Sequence, residues 1–405
     1  MRQTPEKGLA LLLSLGLVLS FAAPTWAQPP AGDCPVPAGL GATLLFPYFE
    51  VDLDDVNGTT TVLSINNGTA APTLTRVVLW TDWGISTMAF DVYLVPFDVQ
   101  TINVRSLLDG TVPSTGAGED LSGFDFCDAF PPDHANPILT SDEVTQLRAD
   151  HTGTLGPLFS DCVGDATGDN VARGYITVDV VDECSGVEGT VPFWTPESTD
   201  LYFDDGDGST VATNDNRLWG DFTFLDFTGA AAQGSQAVQI WASDTTFTGP
   251  DEYTFYGRFH NFDGRDHRAP LPYRWNQRFL NGGAFGGGAD LIVWRDPEES
   301  ISTSTCGVRP TPYPLRDGSG FLDEEGNSQV FGSDTLFPIA TQRTPVSSLG
   351  TAGIDFGWIQ VDSDLPGERS QMWVETTLAA GAFGFSAAWP GSPVSFTCNS
   401  TPSTD

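Results

Sequence analysis

Arginine and aromatic side chains alternate between Tyr256 and Phe279, and this stretch of the sequence is the best suited to binding an anion. Five of the 15 basic residues after position 27 lie here (17 in the chain minus Arg2 and Lys7). An arginine fork binds carboxylate groups through paired hydrogen bonds and stacks on aromatic rings. The predicted ligand-binding residues are Arg258, Arg265, Arg268, Arg274, Trp275 and Arg278. They predict contact with an anionic glycan or another surface protein; the alternative is that these arginines pair internally with the surplus acids.

Closely spaced aspartates form a second kind of candidate site. Ca²⁺ prefers several oxygen ligands from carboxylates close together on turns. The predicted metal ligands are Asp204, Asp205 and Asp207 in one turn and Asp161, Asp165 and Asp169 in another. Neither turn has EF-hand spacing, and the acidic segment 50–58 lacks it as well. Calcium is therefore the one cofactor that the sequence predicts, and the alternative is acidic turns that contact only solvent.

Motifs of nucleophilic, phosphate-binding or zinc chemistry are missing from the sequence. It has no G-x-S-x-G, no H-E-x-x-H and no P-loop, and its histidines number four. No catalytic residue is predicted, and we expect a non-catalytic binding or structural protein. The alternative is a carbohydrate-active hydrolase that uses an Asp/Glu pair, because 53 acidic residues leave many pairs open.

The amino-terminal residues predict export. Arg2 and Lys7 precede an apolar run at 9–22, and Thr25-Trp26-Ala27 offers a small-residue cleavage site, so residues 1–27 are predicted to be a signal peptide. The run is shorter than the roughly 20 residues that span a bilayer, and no later stretch is apolar enough. We expect a secreted, periplasmic or cell-surface protein without a transmembrane segment in its mature chain. The tail 399–405 shows no sorting signal.

Charge and cysteine content agree with that location. The net charge of -36 predicts a surface that repels nucleic acid, which excludes nucleic acid as a partner. Six cysteines, all after the signal and none in a C-x-x-C pair, favour disulfides in an oxidising compartment. The hypothesis derived from the repeat described below pairs Cys34 with Cys184, Cys127 with Cys162, and Cys306 with Cys398.

Short runs of alternating apolar and polar residues dominate the chain, and Gly and Pro separate them. Examples are Tyr175–Val180 and Phe356–Val361. This pattern is typical of strands, and many strands with little helix favour sandwiches. One helix is predicted near 140–153, because Thr140 and Glu143 form a capping box and Gly153 suits the end.

An internal repeat predicts the domain organisation. Pro96–Leu107 matches Pro338–Leu349 without a gap, and Gly174–Asp179 matches Gly357–Asp362. Two further matches join Val78–Asp82 to Ile292–Asp296 and the Phe46/Val62 spacing to that of Phe222/Val238. The predicted fold is all-β: two tandem Ig-like or jelly-roll-type β-sandwich modules, residues 34–185 and 186–398, with a short helix inserted in the first.

Overall fold

The alternating runs form antiparallel strands, because such a run buries one row of its side chains against a neighbouring layer. The structure is a computed structural model that describes residues 39–113, 123–124, 139–158, 164–184, 202–203, 211–243, 254–256, 266–282, 287–296, 313–314, 320–323, 327–330, 336–337, 340–350, 354–365, 368–369, 371–380 and 385–393. All of these residues belong to one compact unit, Gly32–Asp405. The predicted all-β sandwich class is confirmed.

The first sheet pair contains two sheets that pack face to face. Its strands are β1 (Thr43–Asp52), β2 (Thr60–Asn67), β3 (Thr73–Thr81), β4 (Ser86–Leu94), β5 (Val99–Asn103), β6 (Val171–Val181), β7 (Leu218–Asp226), β8 (Ala231–Gln236) and β9 (Val238–Ile240). They form sheets of order β4-β3-β6-β1-β9 and β5-β2-β7-β8. The core between them is apolar, and the rings of Phe46 and Phe222 meet edge to face at 6.2 Å.

The second sheet pair follows in the chain. Its strands are β10 (Arg274–Leu280), β11 (Gly287–Arg295), β12 (Tyr313–Pro314), β13 (Gly320–Leu322), β14 (Ser328–Val330), β15 (Leu336–Phe337), β16 (Thr341–Pro345), β17 (Phe356–Asp362), β18 (Asp364–Leu365), β19 (Glu368–Arg369), β20 (Met372–Ala380), β21 (Phe385–Pro390) and β22 (Ser392–Pro393). The sheets have the orders β14-β13-β17-β10-β22 and β16-β11-β20-β21, and β12-β15 and β18-β19 form two small ribbons. Buried Trp275 and Ile359 of one sheet share a core with Leu291 and Val374 of the other.

The two sheet pairs have the same strand order. If β1 corresponds to β10, β2 to β11, β3 to β13 and so on through β9 and β22, both sheets of the first pair reproduce those of the second. β5 runs directly into the helix α1 (Val104–Leu108), and β16 runs into a 3-10 turn at Val346–Leu349. These two segments are the matched blocks that begin at Pro96 and Pro338.

A matched glycine has the same physical role in both sheet pairs. A Cβ added at Gly174 would lie 2.1 Å from the carbonyl oxygen of Trp80, and a Cβ at Gly357 would lie 2.1 Å from that of Leu322. Only glycine permits so close an approach of neighbouring strands. The register makes Trp80 and Leu322 counterparts, since they face Tyr175 and Trp358, respectively.

Strand pairing divides the chain at a different place from the predicted boundary at residue 185. β7 and β9 follow that boundary, yet Phe222 faces Leu63 of β2 and Val238 faces Leu45 of β1. The first sheet pair therefore continues to Ile240, and the second begins at Arg274. Two of the four sequence matches do not follow the topology: β11 corresponds to β2 rather than to β3, and Phe222 and Val238 lie in the same sheet pair as Phe46 and Val62.

The predicted helix is confirmed as α2 (Ser141–Thr152), which lies between α1 and β6. Thr140 is the N-cap and forms the capping box with Glu143, while Gly153 ends the helix at φ 66°. Its side chains Leu147 and His151 are buried against the first sheet pair. The chain thus places a helix beside the core without changing the strand order.

We expect Thr140→Ala to lower the free energy of unfolding by about 1 kcal/mol, because the amide of Glu143 loses its side-chain acceptor. Urea denaturation measures the change. Thr145→Ala is the matched control, since exposed Thr145 lies inside the same helix, where alanine is favourable. Equal losses in both variants would contradict a specific role of the cap.

Candidate functional site

The structure describes four of the six predicted ligand-binding residues. Arg258 and Arg265 lie outside the described residues. Arg268 and Trp275 are fully buried, so neither presents a surface to a ligand. Arg274 is partly exposed and Arg278 is exposed, both on the outer side of β10. The arginine-rich stretch is thus divided between the interior and one sheet face.

Arg268 is held in a buried polar network on the outer side of β6. Its Nε lies 3.5 Å from Oδ1 of Asp179, and its Nη1 donates to the carbonyl of Asp266 at 2.8 Å. The hydroxyls of Tyr202 and Tyr256 donate to Oδ2 of Asp179 at 2.8 and 2.9 Å. This arrangement is the internal pairing that the sequence left as the alternative, and it identifies Arg268 as a structural arginine.

Aromatic groups complete the cover over this network. The guanidinium of Arg268 lies 5.1 Å from the ring centre of Phe203, and Tyr175 stacks on Trp80 at 5.7 Å. Trp294 of β11 meets Tyr175 edge to face at 5.9 Å. Burial also raises the pKa of Asp266 to about 6. The outer face of the first five-stranded sheet is therefore closed by the chain itself.

Large side chains are exposed on the corresponding face of the second sheet pair. On β17, Phe356 is 41% exposed and Trp358 is 42% exposed. The guanidinium of Arg278 lies 5.4 Å from the ring centre of Trp358, its register partner. Arg274 pairs with Asp362 at 2.8 Å. We call Arg274, Arg278, Phe356, Trp358 and Gln360 the β10–β17 face.

This face could not be located from arginine spacing alone. Arg274 and Arg278 belong to the predicted site, but the aromatic side chains Phe356 and Trp358 come from a strand about 80 residues later (358 − 278 = 80). The available signal was the match of Gly174-Tyr175 to Gly357-Trp358, which places Tyr175 and Trp358 at equivalent positions of β6 and β17.

The predicted calcium ligands are only partly described. Asp161, Asp204, Asp205 and Asp207 lie outside the described residues. Asp169 accepts from Arg173 at 2.6 Å, and this hydrogen bond holds the pKa of Asp169 below its usual range. No group of three or more metal-ligating side chains occurs within the ranges that the structure describes, Asp165 and Asp169 included. The calcium site stays a prediction.

Several of the described carboxylates on the sheets are engaged with arginines. Asp91 accepts from Arg76 at 3.0 Å, with both side chains buried, and Asp179 and Asp362 have the arginine partners given above. His151 is buried; its Nε2 lies 2.8 Å from the hydroxyl of Thr87, and burial lowers its pKa to about 4. These geometries favour structural roles over general acid or base catalysis.

Of the six cysteines, Cys184 falls within the described residues; it is buried and is not a free thiol. Cys34, Cys127, Cys162, Cys306 and Cys398 lie outside, as do the predicted signal peptide and the tail 399–405, so the disulfide pairing and the cleavage site stay predictions. None of the helices in the described part is long and apolar enough to cross a membrane. Comparisons with protein-family models, curated proteins and solved structures gave no significant match.

Proposed function

We propose that this chain is an exported, non-catalytic binding or structural protein of the cell surface or extracellular space, and that the β10–β17 face is its contact surface. The observation that carries the proposal is the contrast between equivalent faces. Tyr175 is buried under Trp294, whereas its counterpart Trp358 is 42% exposed beneath Arg278. Exposed aromatic and arginine side chains together are typical of contact surfaces.

A duplicated module supports this role. The shared strand order, the strand-to-turn segments after Pro96 and Pro338, and the two close-packed glycines support the proposal that both sheet pairs are copies of one β-sandwich module. A scaffold of packed sheets fixes surface side chains in place at little entropic cost on binding. The second copy exposes the aromatic position Trp358, whereas the first copy buries the equivalent residue, Tyr175.

The chemistry of the face suits a carboxylated or sulfated partner. Arg278 provides a cation beside a flat aromatic ring, in a chain whose overall charge is -36. An anionic glycan and another protein are the two partners that fit this combination. The hydrolase alternative receives less support, because three of the described strand carboxylates, Asp91, Asp179 and Asp362, are paired with arginines.

We expect Trp358→Ala to weaken partner binding by at least about tenfold, because the variant removes the exposed ring on which Arg278 lies. The measurement is capture of the mature chain by two immobilised probes, polygalacturonate and the chain itself. Phe227→Ala is the control, since Phe227 is exposed beyond the end of β7 and away from this face. Unchanged capture of Trp358→Ala, or cleavage of the polysaccharide by the wild type, would contradict the proposal.

A further inference from the structure

Within the described residues, the two sheet pairs contact each other across a junction. The outer side of β16-β11-β20 packs on the first sheet pair: Arg343 donates to Glu50 at 2.7 Å, and the amide of Thr341 donates to the carbonyl of Asp82 at 3.1 Å. Trp294 contacts Tyr175, and Glu375 is fully buried on the same outer side. Each sheet pair thus supplies a different surface to this junction.

Strand register identifies the counterpart of the surface that the second sheet pair supplies. In the first sheet pair, Asn66 faces Trp219 and Ser64 faces Asp221. At the equivalent positions of the second sheet pair, Trp294 faces Trp373 and Ile292 faces Glu375. Sequence agrees, because Leu218-Trp219-Gly220-Asp221 matches Met372-Trp373-Val374-Glu375. By the same register, Val99 of the first sheet pair corresponds to Thr341 of the second, and Thr101 corresponds to Arg343.

In the first sheet pair most of these counterparts are at least partly exposed, whereas Asn66 is buried. Trp219 is 41% exposed and Val99 is 53% exposed, whereas Trp373 is 6% exposed at the junction. Thr101 is also exposed, and Asp221 is partly exposed. We call Val99, Thr101, Trp219 and Asp221 the Trp219 face.

The exposed counterpart of the other junction surface is the β10–β17 face. Tyr175, which contacts Trp294, corresponds to Trp358. Glu50 corresponds to Leu280, because Glu50 faces Arg173 on β6 and Leu280 faces Phe356 at the matching position on β17. Arg278, which faces Trp358, stands where β1 has its bulge between Phe46 and Phe49. Within the described part of the chain, positions equivalent to both junction surfaces therefore occur a second time, on faces with exposed side chains.

We propose that the chain assembles head to tail: the Trp219 face of one molecule packs on the β10–β17 face of the next. The proposal rests on the proposed function and names a second copy of this chain as the partner. Two different surfaces that meet in this way give a heterologous contact, which repeats without closing unless the rotation forms a ring. Asp221 on one face and Arg278 on the other have opposite charges, which favours this pairing over contact between identical faces.

Sedimentation velocity of the mature chain over a range of concentrations tests the proposal. We expect the wild type to form species larger than a dimer as concentration rises, and Trp219→Ser and Trp358→Ser each to remain monomeric. An equimolar mixture of the two variants keeps one intact copy of each face, so it should form a 1:1 dimer and nothing larger. Both tryptophans are exposed, and near-ultraviolet circular dichroism verifies that both variants are folded.

Three outcomes would overturn head-to-tail assembly. They are a wild type that stays monomeric, a mixture that stays monomeric, and a single variant that still assembles. The exposed Phe227→Ser variant should behave as the wild type does. If the wild type is monomeric but polygalacturonate captures it through Trp358, the proposed contact function stands and this inference fails.

Discussion

Arg268→Met should lower the free energy of unfolding by about 3–5 kcal/mol, the cost typical of removing one partner from a buried ion pair. Arg268 and Asp179 are both buried, with 3.5 Å between Nε and Oδ1. The variant also leaves the carbonyls of Asp266 and Thr213 without their guanidinium donors. Chemical denaturation at neutral pH measures the loss.

Burial should determine the size of this effect, and a second Arg–Asp pair provides the comparison. Arg148 pairs with Asp109 on the surface, where both side chains are more than two-fifths exposed. Arg148→Met should therefore cost less than about 1 kcal/mol. Adding Asp179→Asn to Arg268→Met should recover part of the loss, because the uncompensated charge is then removed. Similar losses in the two single variants would contradict a structural role of Arg268.

The folded chain should be more stable at pH 5.5 than at pH 8. Burial raises the pKa of Asp82, Asp150 and Glu375 to about 7 each. A carboxyl whose pKa is higher in the folded state binds protons there that the unfolded chain has lost, so stability falls as the pH rises through 7. His151 opposes this trend below pH 6.5, because burial lowers its pKa to about 4. One histidine is set against these three carboxyls and Asp266, whose pKa burial raises to about 6.

Glu375→Gln should flatten this dependence and raise stability at pH 8 relative to the wild type by at most about 3 kcal/mol, the linkage value for a pKa moved from 4.5 to about 7. Urea denaturation at pH 5.5 and pH 8 gives the change in the free energy of unfolding with pH for the wild type and for the variant. Asp355→Asn, at an exposed position, is the control and should follow the wild-type curve. A Glu375→Gln variant with the wild-type pH dependence would show that Glu375 is not the group responsible.

Local features of the fold could be predicted from the sequence because they depend on neighbouring residues. The capping box requires only that Glu143 follow Thr140 by three positions, and α2 begins where it predicts. Alternation predicted the strands, and the gapless match after Pro96 and Pro338 located two equivalent strand-to-turn segments. The all-β class followed from these local signals.

The positions of the strands in the sheets and the burial of Arg268 could not be predicted from the sequence, because they depend on contacts between distant residues. The similarity of Val78–Asp82 to Ile292–Asp296 reflects two apolar strands that each end in Trp-x-Asp, although their places in the sheets differ. The burial of Arg268 depends on Asp179 and on Tyr202, which no local pattern connects to it. A better indication of the equivalent strands is the similarity of Trp219-Gly220-Asp221 to Trp373-Val374-Glu375, which is recognised once the strand register is known.

The late position of β7 and β9 also determines when the first sheet pair can close. Thr43 of β1 faces Ile240 of β9, a separation of 197 residues (240 − 43 = 197). The exposed edges of β1 and β2 must wait for those strands during synthesis, and loops of this length close slowly. Unpaired strand edges are prone to aggregation. A chain of this topology therefore benefits from being kept unfolded until residues beyond 240 have been made.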